Sequence, residues 1–230
     1  MKKTLLLLLL TLSVRIAVAQ IGDEYKYTIA VKGFSIMQMP KILSQKNAEH
    51  FTRMWFKGGM IKFNDNQFSY RISGNYLKRN TRLINNCSTC EEADGKVTDY
   101  VFKVGFEKNL SFSRFQPYFG FDLGYRFNMF EGEMISTNPL LANKAGANSY
   151  AVEATKSGLT VSPLLGFRLN PAKMVSVFAE TNLDFFIFYE RQELVSQDVN
   201  NTKTVNRYKK NEFLINPATV GIQIHLGNNR

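Results

Sequence analysis

The chain has 230 residues, a formal charge of +10 and 13% aromatic residues. Residues 1–19 combine a basic start, a short apolar run and an Ala17-Val18-Ala19 ending, which predicts a secretory signal peptide. Export excludes nucleic acid as a natural partner of this basic chain, and no later apolar run reaches the roughly 18 residues that a spanning helix needs. Residues 20–230 are therefore expected to form one domain, which would cross a membrane only as strands.

Three strands are predicted before residue 80. The first, Tyr25 to Ile36, alternates apolar and polar residues, with a change of phase at Gly33 that predicts a β-bulge. The second, Phe51 to Phe63, alternates weakly. The third, Gln67 to Lys78, alternates clearly after a tight polar turn at 64–66.

The clearest pattern in the chain is FQPYFGFDLGYRFN, from Phe115 to Asn128. Almost every odd residue of this stretch is apolar and almost every even residue is small or polar, so one face carries rings and the other carries polar groups. A strand of about 9 to 11 residues tilted near 45° crosses a bilayer. This stretch and the preceding one, Val97 to Glu107, are therefore predicted to be transmembrane strands.

Leu159 to Arg168, Val175 to Ile187 and Glu212 to Leu226 complete a predicted set of eight strands. Proline removes a hydrogen bond from the strand ladder, and a closed barrel has no free edge where that loss is harmless. Pro163 and Pro217 are therefore expected near loop ends or at bulges.

The predicted connections alternate in length along the chain. Four are long (37–50, 79–96, 129–156 and 191–211), and the three between them are short (64–66, 108–114 and 170–173). Outer-membrane barrels have tight periplasmic turns at one rim and longer extracellular loops at the other. The predicted fold is therefore all-β, a single eight-stranded antiparallel up-and-down transmembrane β-barrel with short periplasmic turns and long extracellular loops.

The same alternation predicts which charged residues face the lumen: Arg71, Lys103, Asp122, Arg126, Arg168, Glu180 and Asp184. In the opposite phase, each basic residue would face lipid at a cost of about 2 to 4 kcal/mol near the midplane. The interior of an eight-stranded barrel is just wide enough for side chains to fill it, so these residues are expected to form a charge network that closes the lumen. A narrow polar conduit is the alternative.

Three runs carry a resemblance to a known family: Gly120 to Phe127, Leu164 to Leu169 and Thr219 to Leu226. Together with the strand pattern, they resemble the small eight-stranded outer-membrane β-barrel proteins, most closely the OmpW-like and opacity-type barrel domains of Bacteroidota. The resemblance implies the barrel fold and a location in the outer membrane. A shared fold does not by itself specify a function.

The last strand also resembles the terminal assembly signal of such barrels, with Gly221, Ile224 and Leu226 at the matching positions. It departs from that signal because it has no terminal aromatic residue and continues to Arg230. The resemblance implies recognition by the barrel-assembly machinery.

Cys87 and Cys90 lie in a predicted extracellular loop, where an oxidising compartment favours a small-loop disulfide. The two cysteines do not lie in the α/β setting that is typical of a redox motif. A zinc site would need four ligands, and these cysteines with His50 supply three. The two histidines, His50 and His225, have no serine nearby in sequence that would indicate a hydrolase, although distant residues can meet in a fold. No catalytic residue, metal or cofactor is predicted.

The leading functional hypothesis is a non-enzymatic outer-membrane barrel with a filled lumen, whose extracellular loops or lipid-facing wall serve as an interaction surface. Its expected partners are outer-membrane lipid, lipopolysaccharide, the assembly machinery and another envelope protein. An OmpW-like conduit for small hydrophobic solutes is the alternative, because Leu164, Phe178 and Phe186 also point inward. A lipid-modifying enzyme and a soluble lipocalin-like carrier are further alternatives.

Overall fold

The computed structural model describes residues 25–43, 51–84, 91–136, 149–197 and 201–228. Within these residues, no helix is long and apolar enough to span a membrane. The secondary structure consists of eight strands: β1 (Tyr25–Gln38), β2 (Phe51–Asp65), β3 (Phe68–Ile84), β4 (Glu91–Asn109), β5 (Phe115–Ser136), β6 (Ser149–Ala172), β7 (Val175–Ser196) and β8 (Lys203–Asn228).

The eight strands form one closed antiparallel barrel. Each strand pairs with the next in sequence, and β1 pairs with β8 to close the ring. Backbone groups of the first and last strands thus satisfy each other, with Ile29 opposite Ile224 and Tyr27 opposite Leu226. The predicted fold class, an eight-stranded up-and-down barrel, is confirmed.

The faces of β5 alternate as predicted. Leu123 and Tyr125 point outward and are about half exposed (52% and 49%), whereas Asp122 and Arg126 are buried inside. Since successive side chains of a strand point to opposite faces, this single observation fixes the phase of the whole strand. The outer wall between residues 115 and 127 is therefore apolar, and the inner wall is polar.

Two of the predicted irregularities are present. The register of β1 shifts between Lys32 and Phe34 against both neighbouring strands, so Gly33 is a bulge. The register of β7 against β8 shifts between Glu180 and Asn182, opposite Pro217. The expectation for Pro163 is wrong, because it lies well inside β6, where the paired residues pass from Val161 to Leu164 without a shift in register.

The prediction of long loops is wrong for most of the residues concerned. The strands continue through most of 79–96, 129–156 and 191–211, so that β6 has 24 residues and β8 has 26. A strand needs only about 9 to 11 residues to cross a bilayer. The barrel therefore extends well beyond its apolar band at one end, here called the extended end; the opposite end, with the short turns, is called the turn end.

The loop prediction failed because the two faces of several strands exchange polarity in this extension. On β5, Phe130 and Met134 are buried inside, whereas Glu131 and Glu133 point outward. On β6, Val152 is buried inside. On β4 to β6, the inner face of the extension is largely apolar and its outer face is charged, so the alternation continues with the apolar residues on the other face. On β7 and β8 the inner face stays polar, with Glu190 and Gln192 buried there.

Candidate functional site

The candidate site is the barrel interior, where the inward faces of all eight strands meet. The structure buries every charged residue that the sequence predicts to face the lumen: Arg71 on β3, Lys103 on β4, Asp122 and Arg126 on β5, Arg168 on β6, and Glu180 and Asp184 on β7. Charged groups in this position need partners, because an unpaired buried charge carries a desolvation cost of several kcal/mol.

Arg71 is the centre of the largest group of ion pairs. Its guanidinium donates two hydrogen bonds to Glu180, from Nη1 to Oε2 at 3.0 Å and from Nη2 to Oε1 at 3.1 Å. Nη1 also donates to Glu107 Oε2 at 3.2 Å, and Nε lies 3.2 Å from Asp122 Oδ1. One guanidinium therefore links three carboxylates from three strands, a use of its planar fork that lysine could not reproduce.

Glu107 extends this group to two further strands. Lys62 Nζ lies 2.7 Å from both carboxylate oxygens of Glu107, and Arg168 also donates to Oε1. Lys62 and Glu107 are not among the lumen residues predicted from the sequence. Glu107 is the last residue of the predicted strand Val97 to Glu107 and shares the inward phase of Lys103, so the alternation was enough to identify it. The weak alternation of β2 conceals Lys62.

Two smaller ion-pair groups lie beside the first. Lys103 Nζ is 2.5 Å from Asp184 Oδ1, which also accepts a hydrogen bond from Ser162 at 2.7 Å. Arg126 and Asp99 form a two-pronged pair, with Nε to Oδ1 at 2.9 Å and Nη2 to Oδ2 at 3.1 Å. Such paired geometry is the strongest form of a side-chain hydrogen bond between ions.

The interior charges nearly balance. Among the described residues, seven buried basic side chains face six buried acidic ones: Lys32, Lys62, Arg71, Lys103, Arg126, Lys156 and Arg168 against Asp99, Glu107, Asp122, Glu180, Asp184 and Glu190. Nearly balanced opposite charges at pairing distance attract one another across the barrel. The net electrostatic potential that would attract an ion into the lumen is therefore small.

Two cavities in the part of the interior that the structure describes are small. A cavity lined by Lys32, Arg71, Lys103, Asp122 and Asp184 measures about 20 Å³. A second cavity, near Leu77 and Leu83, is of the same size. A single water needs about 10 to 15 Å³ on this measure, so each cavity has room for one water.

The interior of the extended end contains an apolar cluster, here called the apolar plug, beside the ion pair of the buried Lys156 with Glu212. It consists of the buried residues Met37, Met39, Ile42, Met54, Leu77, Leu83, Ala93, Val97, Phe130, Met134, Val152 and Ala154. Met39 and Ile42 belong to the segment that follows β1 rather than to a strand, so this segment folds over the end of the barrel. The lumen thus passes from the ionic zone around Arg71 to a zone that is mainly apolar on the side of β1 to β6.

The wall has a seam between β2 and β3. Their pairing runs from Asp65 opposite Phe68 to Gly58 opposite Asn75, and β2 residues beyond Gly58 pair with β1 alone. An outer recess of about 440 Å³ lies at this point, lined by Tyr76, Tyr100 and other wall residues. Val101, whose side chain is buried inside, lines both this recess and the interior ionic cavity.

The residues that resemble an assembly signal lie where β8 meets β1. Ile224 and Leu226 point outward, at 49% and 38% exposure, beside the outward residues of β1. Gly221 faces the interior, where an added Cβ would stand 2.3 Å from the Val31 carbonyl oxygen and 2.5 Å from the Phe178 ring. A side chain larger than hydrogen at Gly221 would therefore displace the neighbouring backbone.

The interior of the turn end contains a serine beside a histidine, which the sequence could not pair. Ser176 contacts His225 Nε2, and Thr28 Oγ1 lies 2.9 Å from Nδ1. The Ser176 hydroxyl donates to Asn170 Oδ1 at 2.6 Å, so Nε2 is positioned to donate to Ser176 rather than to remove its proton. Ser176 is also fully buried. A nucleophilic serine needs the reverse proton transfer and access to a substrate.

Cys87, Cys90 and His50 lie outside the described residues, so the disulfide stays a prediction. The signal peptide at residues 1–19 lies outside them as well. Within the described parts of the chain, no group of three or more His, Cys, Asp or Glu side chains is placed to hold a metal ion.

No protein-family model matches the chain. No curated protein sequence matches it either. Among solved structures, the outer membrane protein OprG from Pseudomonas aeruginosa matches with a TM-score of 0.57 and 11% identity over 89% of this chain and 99% of that chain. A major outer membrane protein from Thermus thermophilus matches with a TM-score of 0.47 and 10% identity over 87% of this chain and 99% of its own.

Acinetobacter baumannii CarO2 matches with a TM-score of 0.39 and 9% identity, over 86% of this chain and 99% of that one. Of these three, OprG exceeds a TM-score of 0.5, and at 11% identity the likeness concerns the fold. The fold agrees with the predicted outer-membrane location, because closed barrels are the strand structures that span membranes. The chain has the fold of an eight-stranded outer-membrane β-barrel.

Proposed function

We propose that the chain is a non-enzymatic integral outer-membrane barrel with a closed lumen, whose extended end and outer wall serve as an interaction surface. The proposal includes export by the signal peptide at residues 1–19 and recognition of β8 by the barrel-assembly machinery. The observation that carries it is the interior itself. Buried ion pairs centred on Arg71 join strands across the barrel, and the apolar plug lies above them.

The closed lumen has a direct electrical test. The purified barrel, inserted into planar lipid bilayers, is expected to give no stable conductance steps, since interior cavities of about 20 Å³ hold single waters rather than a column of them. A calibrated porin in the same bilayer serves as the control for insertion and detection. Reproducible conductance steps from the wild-type barrel would overturn the closed lumen.

The proposed interaction surface is the charged outer face of the extension. Glu131, Glu133, Arg191 and Lys203 point outward there, beyond the apolar band. Because the strands continue into this region, the surface has a fixed shape rather than that of a mobile loop. Another protein of the envelope, or the polar part of outer-leaflet lipid, is the partner that such a surface would meet.

The seam between β2 and β3 favours a second candidate function, a lateral conduit for small hydrophobic solutes. Gly74 points outward into the recess, and an added Cβ would meet only the Val101 carbonyl oxygen at 3.6 Å. Gly74→Phe should therefore fill the recess without disturbing the fold. Under this candidate, proteoliposomes with the wild type take up a small hydrophobic solute faster than those with Gly74→Phe.

Gly59 provides the matched control for that experiment. It lies directly opposite Gly74, its added Cβ would have the same 3.6 Å clearance, from the Ala30 carbonyl oxygen, and it does not line the recess. Gly59→Phe should leave uptake unchanged. Equal uptake by wild type, both variants and protein-free liposomes would eliminate the conduit and leave the closed barrel.

A further inference from the structure

A pocket of about 480 Å³ opens on the outer face of β6, β7 and β8, on the opposite wall from the seam. Two rows of directly opposed outward residues line it, here called the cationic pocket: Thr155, Arg191 and Arg207 in the upper row, and Ser157, Tyr189 and Lys209 in the lower row. The lining also includes Tyr208 and Glu190, and the carboxylate of Glu190 is buried and lies 3.2 Å from Lys210 and 3.9 Å from Lys156. All six side chains of the two rows belong to paired strands, so the barrel backbone fixes their spacing.

The upper row places two like charges against each other. Arg191 is directly opposite Arg207, and like charges in such a cross-strand pair destabilise a sheet. Lys209 adds a third positive charge one row below, with its Nζ 5.8 Å from the centre of the Tyr189 ring. No outward residue in either row is acidic, and the next row toward the extended end contains Glu153 directly opposite Glu193. The arrangement has an electrostatic cost that a bound anion would remove.

The nearest carboxylate does not neutralise these charges. Arg191 Nη2 lies 2.7 Å from Glu193 Oε2, but Lys203 donates to the same carboxylate and thereby lowers its pKa. One negative charge is thus shared between two positive ones. Arg207 makes no ion pair with any residue that the structure describes.

The position of the pocket along the barrel indicates what kind of anion it meets. The next outward row toward the turn end consists of Leu159, Ile187 and Asn211, and the row after it consists of Val161, Phe185 and Phe213. Leu159 and Phe213 are each 64% exposed, so they belong to the apolar band. The pocket therefore begins where the apolar band ends, the level at which tyrosine rings and lipid head groups meet in a membrane.

We propose that the cationic pocket binds the phosphate of a phosphorylated, acylated glycolipid of the lipid A type in the outer leaflet. The inference rests on the proposed outer-membrane location, in which the extended end faces outward. Two opposed guanidiniums suit a phosphate because each can donate two parallel hydrogen bonds to it. The hydroxyl of Ser157 would bond a sugar or phosphate oxygen, whereas that of Thr155 already donates to Glu153 Oε1 at 3.5 Å. The acyl chains would lie along Leu159 and Phe213.

The experiment uses the full mature barrel, purified from isolated outer membranes and exchanged into neutral detergent. Its midpoint of thermal unfolding is measured against added lipid A, with lipid A stripped of both phosphates as the comparison. Lipid A should raise the midpoint of the wild type, since a ligand that binds only the folded state stabilises it. The stripped lipid should not, and added salt should weaken the effect.

Arg191→Gln combined with Arg207→Gln should weaken lipid A binding by roughly tenfold or more, the scale for losing charged hydrogen bonds. Without lipid, this double variant should unfold at about the same midpoint as the wild type, because the loss of the like-charge contact offsets the loss of the exposed Arg191–Glu193 ion pair. Lys78→Gln with Lys96→Gln is the matched control. It removes two outward charges from the other wall, where Lys96 faces Glu131 directly, and should leave binding unchanged.

Equal stabilisation of the wild type and the Arg191/Arg207 double variant would overturn the inference, as would equal stabilisation by the stripped lipid. A weaker response in the control variant than in the Arg191/Arg207 variant would do so as well. Failure of the proposed location is separately visible, because the protein would then be missing from the outer-membrane fraction at the first step. If the barrel is recovered from the outer-membrane fraction but shows no phosphate-dependent binding, the proposed lipid site is contradicted and the proposed location is not.

Discussion

Individual residues of the interior were predictable to the extent that strand phase was predictable. A single alternating stretch around Asp122 and Arg126 assigned both residues to the inside, where the structure buries them. The partners were not predictable. Arg71 meets Glu180, 109 positions away in sequence, because barrel closure and strand tilt bring β3 and β7 to facing positions across the lumen. Sequence alternation specifies a face, but it does not specify the height at which facing residues meet.

The Arg71 ion pairs give a stability prediction at this scale. Arg71→Met would remove the shared cation and leave Glu107, Asp122 and Glu180 buried together with less compensation. Breaking such a buried pair costs about 3 to 5 kcal/mol. Urea unfolding of the barrel in lipid vesicles, followed by tryptophan fluorescence, should show a loss of that size.

Arg82→Met is the control, because Arg82 also pairs with a glutamate, Glu92, but its side chain is 61% exposed. An exposed pair of this kind contributes about 0 to 1 kcal/mol. If both variants unfolded at the same urea concentration as the wild type, the interior ion pairs would not contribute to the stability of the barrel.

At the scale of the elements, the eight strands and the three short turns were predictable, but the extension was not. Residues 129–156 were predicted to be a loop. Their outward positions lose the rings of the transmembrane part and gain charges such as Glu131 and Glu153. In this region the apolar side chains, such as Phe130 and Val152, point to the inner face. A strand search that expects apolar residues on the lipid side stops where the membrane ends, whereas the hydrogen-bonded ladder continues.

The extension gives a prediction about proteolysis. Arg191, Lys203, Arg207 and Lys209 all lie within β7 and β8, so the folded barrel should resist trypsin at these four sites. Their peptide bonds are held in the strand ladder, and a protease needs an extended, detached segment. Mass spectrometry of the digest would identify any cleavage.

Heat-unfolded protein, in which every site is accessible, serves as the positive control for the digest. Rapid cleavage of the folded barrel after Arg207 or Lys209 would instead support the long mobile loop that the sequence suggested between 191 and 211.

The whole molecule separates two environments with one sheet. Outward rings such as Tyr125 and Phe167 face lipid in the proposed location, while the inner face carries nearly balanced charges in the ionic zone and the apolar plug above it. The location and the closed fold follow from alternation and chain length. The seam and the cationic pocket do not, because they depend on where strand pairs end and which outward residues come to lie opposite each other.

The most direct measurement of this arrangement uses the single tryptophan of the chain, Trp55, which is 63% exposed on the outer wall and packs 4.7 Å from the Phe34 ring centre. Its fluorescence is recorded in vesicles containing lipids brominated on their acyl chains, and again with aqueous acrylamide. A wall that faces lipid predicts strong quenching by the brominated chains and little by acrylamide, with the reverse in urea-unfolded protein. Quenching by acrylamide in the folded protein, with no effect of the brominated lipid, would contradict the membrane-spanning barrel.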